Sequence, residues 1–173
     1  MEMELKNRKN NRLPGYDYGQ VGSYFITLCT YKRAKIFRVQ KTWHFASDDT
    51  VLGNNIPSSN DIVCRCLKEL EIKFSNIRID KFVIMPDHIH VIITLRHLDV
   101  NVNIPKILQH FKTRTTNDYI SAVKNGYLPA FYGKVWQKSY YDHVIRNQQD
   151  FNEVWEYIEN NPLKLELLKS GDL

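Results

Sequence analysis

The chain has 173 residues, 43% of them hydrophobic and 25% charged, which is enough for one domain with a real core and excludes a disordered or collagen-like class. Twenty-four Lys and Arg against nineteen Asp and Glu leave a formal charge of +5, which mildly favours a polyanionic partner. Cys29, Cys64 and Cys66 form no C-x-x-C pair, the start MEMELKNRKN is charged, and no apolar run approaches a membrane span, so a cytoplasmic protein, neither exported nor inserted, is expected.

Residues 1–20 are polar, basic from Lys6 to Arg12 and punctuated by Pro14, Gly15 and Gly19. They predict a loosely ordered basic arm, followed by a single domain over 21–173. Tyr24 to Tyr31 is rich in aromatic and β-branched residues and reads as a strand, with Lys32, Arg33 and Lys35 at its charged exit. Residues 43–60 suggest a small hairpin, WHFA pairing with TVLG. Ile62, Cys66, Leu70 and Phe74 recur at helical spacing and predict a helix over about 60–75.

Ile77 to Leu95 holds two β-type runs separated by Pro86-Asp87, which predicts adjacent antiparallel strands. Ile104, Ile107, Leu108, Phe111, Thr115 and Tyr119 form one stripe of an amphipathic helix whose outer side carries Lys106, Lys112 and Arg114. After a Gly- and Pro-containing loop, VWQKSYYDHVIR reads as a last strand. Asn147 with Asp150 resembles an N-cap opening a helix that packs through Phe151, Val154, Trp155 and Ile158 and ends near Asn161, because Pro162 disfavours helix before it. The tally is an α+β fold: an antiparallel sheet with helices largely on one face.

His88-Ile89-His90 lies in an otherwise apolar strand, and the two-residue period puts both imidazoles on one face, within reach of one metal ion. Polar decoration of an exposed sheet face would look the same. In the last helix Tyr157 and Asn161 are four apart and share a face, offering a nucleophilic hydroxyl and a third metal ligand. A packing aromatic beside a helix-ending amide is the competing reading.

MPDHIH (85–90), FKTRTT (111–116), WQKSYYDHVIRN (136–147) and YIENNPLK (157–164), in this order and spacing, resemble the REP-associated tyrosine transposases, a branch of the single-tyrosine HUH nucleases. The resemblance covers about residues 22–165. It implies a ferredoxin-like or RRM-like HUH fold and cleavage and rejoining of single-stranded DNA bearing hairpins or inverted repeats, through a 5′-phosphotyrosine link. Carried over, His88 and His90 match the histidine pair, Tyr157 the nucleophile and Asn161 the polar metal ligand. Family members often show Asn where this chain has Asp87, here read as a turn position, and the wider superfamily commonly uses Gln at the position of Asn161.

Neutral ligands suit Mg²⁺ or Mn²⁺ better than a closed structural Zn²⁺ site. Arg12, Lys32, Arg33, Lys35, Lys106, Lys112 and Arg114 are candidate phosphate contacts. Tyr132, Trp136, Tyr140 and Tyr141 are candidate base-stacking residues, with a core role equally open for Trp136. The resemblance allows a monomer or a homodimer. Three rival readings stay open: a nuclease in which water attacks, a non-catalytic nucleic-acid-binding domain, and Tyr140 or Tyr141 as nucleophile.

Overall fold

Four strands join into one antiparallel sheet in the computed structural model, which describes residues 15–39 and 57–170. Arg12, with most of the expected arm, and the expected hairpin up to residue 56 lie outside the described residues. In chain order the elements are β1 (Gly22–Cys29), α1 (Ser59–Lys73), β2 (Ile77–Met85), β3 (His88–Leu95), α2 (Ile104–Lys124), β4 (Tyr141–Ile145) and α3 (Gln148–Ser170), and the sheet order is β2-β3-β1-β4.

The two-residue period sorts side chains onto two faces. Tyr24, Ile26 and Leu28 of β1, Phe82 and Ile84 of β2, and Ile89, Val91 and Ile93 of β3 are buried with α1 and α2 in the main core. The other face is a smaller apolar layer in which Phe25, Val83, Met85, Ile92 and Ile145 meet Phe151, Val154, Trp155 and Ile158 of α3. Two helices therefore share one face, and α3 lies alone on the other.

Local chemistry explains the boundaries. Ser58 and Asp61 form a reciprocal capping box at the start of α1, and Asn103 caps α2 through the Lys106 amide. The Asp150 amide donates to Asn147 Oδ1 at 2.9 Å, the cap expected for α3. α3 does not stop at Asn161: it runs through Pro162 to Ser170. Proline removes one helical hydrogen bond, but Leu165 packs onto the same apolar layer as Ile158 and holds the following turn.

One more expectation changes. The last strand spans only Tyr141–Ile145, preceded by an isolated bridge between Thr30 and Trp136. The intervening carbonyls of Gln137, Lys138 and Ser139 converge on the Lys112 ammonium at 2.8, 3.2 and 3.1 Å, an arrangement unlike the alternating directions of strand carbonyls. Residues 15–20, within the expected arm, are described as well. Tyr18 is buried among Tyr16 and Tyr24, and its hydroxyl donates to Asp142 at 2.5 Å.

A β-bulge between Ile79 and Lys81 moves Lys81 from the main-core side to the α3 side of the sheet. There it is fully buried, ion-paired to Glu159, with its ammonium 4.1 Å from the Trp155 ring centroid. The contact ties β2 to α3.

Candidate active site

One cross-strand row defines the site. Val83 of β2, His90 of β3, Thr27 of β1 and Tyr141 of β4 lie side by side, and opposed residues in an antiparallel sheet share a face. His88, two residues before His90, extends the same face toward the turn at Pro86-Asp87. The imidazoles converge: their Nε2 atoms stand 3.2 Å apart.

The outward nitrogens are both held. Asp87 Oδ1 lies 2.6 Å from His88 Nδ1, and Thr27 Oγ1 lies 2.8 Å from His90 Nδ1. A carboxylate only accepts, so His88 Nδ1 is the donor in this contact, and Nε2 is the nitrogen turned toward His90. Arg33, 3.5 Å from Asp87 Oδ2, steadies that carboxylate. Burial, helped by His88 and Arg33, pushes the His90 pKa down to about 3, so this ring is neutral at physiological pH.

The pair fits a small divalent cation. Adjacent corners of an octahedron with bonds of about 2.1 Å are about 3.0 Å apart, close to the spacing of the two nitrogens. Anchoring of each second nitrogen by an oxygen is the usual support of metal-binding histidines. Among the described residues no group of three or more His, Cys, Asp or Glu assembles as a metal site.

α3 brings Tyr157 to this face. Its ring meets His90 edge-on with centroids 5.3 Å apart and meets Phe25 at 5.8 Å, while Phe25 stacks on His90 at 5.2 Å. The residue is 42% exposed, so the site is open to a ligand. Asn161 follows one turn later, half-buried, its amide nitrogen donating to the Tyr157 carbonyl at 3.4 Å. Lys164 lies over the outer part of the same ring, 5.5 Å from its centroid.

The candidate DNA contacts separate. Lys32, Arg33 and Lys35 are exposed on the loop leaving β1, on the His88 side of the molecule. Tyr141 is 55% exposed in the same row as His90. Lys106, Lys112 and Arg114 belong to α2, across the sheet from the imidazoles. Lys112 holds loop carbonyls, and Arg114 pairs with Glu69 at 3.0 Å and Asp118 at 3.5 Å. Lys106 reaches the Asn101 carbonyl at 2.7 Å. Tyr140 is buried under the Lys112 ammonium, and Trp136 is a core residue whose Nε1 donates to Thr115 at 2.8 Å. Neither ring offers a face to a base.

Sequence reasoning missed Asp87 and Thr27. Asp87 is more than a turn residue, since its carboxylate fixes His88; a carboxylate directly before H-x-H was the available signal. Thr27 left none, because only the β1–β3 register aligns it with His90.

Comparison with known proteins identifies the family and the fold. The sequence profile described as "Transposase IS200 like" matches residues 20–161. An uncharacterised Haemophilus influenzae protein is 29% identical over 172 residues, covering 92% of this chain and 90% of its own. A second protein of that organism, provisionally named a REP-associated tyrosine transposase, is 24% identical over 150 residues, covering 86% of this chain and 74% of its own. Among solved structures, a REP-associated tyrosine transposase bound to a REP hairpin superposes with a TM-score of 0.60 at 19% identity, covering 88% of this chain and 73% of that one. No helix among the described residues is long and apolar enough to cross a membrane. The four-stranded antiparallel sheet with its three helices is thus the fold of the REP-associated tyrosine transposase, and the chain belongs to the IS200-like transposase family.

Proposed function

We propose that this protein cleaves and rejoins single-stranded DNA at hairpin-bearing sites, with Tyr157 as the nucleophile. The observation that carries the reading is the meeting of Tyr157 and His90 on one sheet face, 5.3 Å between ring centroids, beside a second imidazole aimed at the same point. Membership of a transposase family supports it, as does the solved relative with its bound REP hairpin.

His88 and His90, with Asn161 as third donor, would hold Mg²⁺ or Mn²⁺, which supplies charge stabilisation at the phosphate. The chain's own residues do the rest. Tyr157 Oη attacks phosphorus, its proton passes to solvent, the Oη–P bond forms, and the P–O3′ bond breaks to release a 3′ hydroxyl. The 5′ phosphate stays on the enzyme. Rejoining is the same exchange in reverse with another 3′ hydroxyl, so no nucleotide cofactor is consumed. Asp87 and Thr27 keep the imidazoles in register, and Arg33 and Lys35 offer charge to the backbone near His88.

Labelled single-stranded DNA carrying a hairpin is incubated with protein and Mn²⁺ and run under denaturing conditions. A protein-linked label is expected, lost in Tyr157→Phe and nearly lost in His88→Ala. Cleaved DNA without linked label would assign the attack to water, and DNA bound but uncut would leave a binding domain.

A further inference from the structure

Outside the imidazole pair lies a cleft of about 310 Å³ lined by Tyr31, Lys32, Ile36, Phe131, Tyr132 and Lys134, with no acidic side chain in its walls among the described residues. Its size is at the lower end for a small-molecule site. The Lys32 ammonium sits 5.7 Å from the Tyr31 ring centroid and 5.3 Å from that of Tyr132, so both rings border one small volume. Tyr132 is 82% exposed. An aromatic surface open to solvent and rimmed by two lysines suits a flat, π-faced group attached to an anion.

Two segments form the walls. Lys32 and Arg33 take left-handed backbone angles, φ 54° and 57°, which side chains other than glycine rarely adopt. Gly133 also has a positive φ of 75°, and a Cβ there would stand 3.4 Å from the Tyr31 ring, so the 131–134 turn fits closely against that tyrosine. The Tyr31 amide donates to the Val135 carbonyl at 2.9 Å and joins the two segments. Arg33, the next residue after Lys32, pairs with Asp87, and Asp87 holds His88, which ties this segment to the site.

We propose that this cleft receives one unpaired nucleobase of the DNA strand, stacked on Tyr132, with Lys32 and Lys134 at the flanking phosphates. The proposal rests on the single-stranded DNA reading above and names a subsite for it. Every base has a π-face, so the pocket holds single strands without demanding one sequence. A duplex keeps its bases inside the stack and cannot fill it. An apolar peptide would leave the two lysines without a role.

The test compares a short oligothymidylate with the equivalent abasic oligonucleotide, which has the same phosphates and no bases, binding each to the full chain in EDTA by fluorescence anisotropy. The unmodified protein should prefer the base-bearing strand, and Tyr132→Ala should lose about five- to a hundredfold of that preference, the range for one stacked base. Lys134→Ala should weaken both strands alike. Tyr132 is exposed, so its replacement spares the core, and a thermal melt verifies this. If Tyr132→Ala keeps the full preference, or Tyr141→Ala alone removes it, the cleft is not the base pocket. Covalent linkage to DNA is scored separately in Tyr132→Ala with Mn²⁺, so linkage with an unchanged base preference defeats the pocket and leaves the chemistry standing. Stacking without linkage in the unmodified protein does the opposite.

Discussion

Phe25 touches both His90 and Tyr157, stacked on the imidazole at 5.2 Å and edge-on to the phenol at 5.8 Å. It is the sheet residue against which α3 seats its tyrosine. Phe25→Leu keeps most of the apolar volume and removes both ring contacts, each worth about 0.5–1.5 kcal/mol. A stability loss of about 1 kcal/mol in urea unfolding is expected, with Mn²⁺ affinity preserved and DNA linkage slowed severalfold. Unchanged linkage would mean that Phe25 does not position the tyrosine.

Asp87 should matter through His88. Asp87→Ala removes the acceptor that orients the ring, and such supporting partners typically account for about 10–100-fold in metal affinity or activity. Asp87→Asn retains an acceptor oxygen and should lose much less. Mn²⁺ titration by calorimetry on both variants checks the order.

His90 makes folding acid-sensitive. Its pKa is held down to about 3 by burial, against 6.5 for the free ring. Above about 6.5 both folded and unfolded states are neutral here and nothing is gained or lost. As pH falls from about 6.5 toward 3, the unfolded imidazole takes up a proton that the folded one refuses, so this position costs progressively more stability. In EDTA, urea midpoints of His90→Gln should fall less steeply with acid than those of the unmodified protein. Equal slopes would contradict the assignment.

Lys81 and Glu159 give an asymmetric pair of expectations. Lys81 is fully buried and Glu159 half-exposed. Lys81→Met replaces a buried cation by an apolar chain of similar length and should be nearly neutral or stabilising. Glu159→Gln leaves the cation without its charge partner and should cost about 1–2 kcal/mol, discounted for the exposure of the carboxylate. Thermal melts of the two variants decide it, and a larger loss in Lys81→Met would overturn the view.

Much of the fold was legible because local patterns and tertiary packing agree. The apolar stripe of α2, the apolar run of β3 and the Asn147 cap each follow from residues close in sequence. The reading failed where distant contacts decide. Pro162 does not end α3, because Leu165 packs beyond it, and Lys112 reads as a surface cation until its ammonium is seen to gather the 137–139 carbonyls. The His88, His90 and Tyr157 trio was visible as residue types at chemical spacing. Thr27, Phe25 and Lys81 were not, since register and a single bulge place them on that face.

The most direct test of the central claim identifies the linked residue. After the protein has reacted with hairpin-bearing single-stranded DNA and Mn²⁺, the adduct is trimmed with nuclease, digested with protease and sequenced by mass spectrometry. The account predicts a nucleotide joined through its 5′ phosphate to Tyr157. A nucleotide on Tyr140 or Tyr141, a 3′-phosphate linkage, or cut DNA with no modified tyrosine would contradict it.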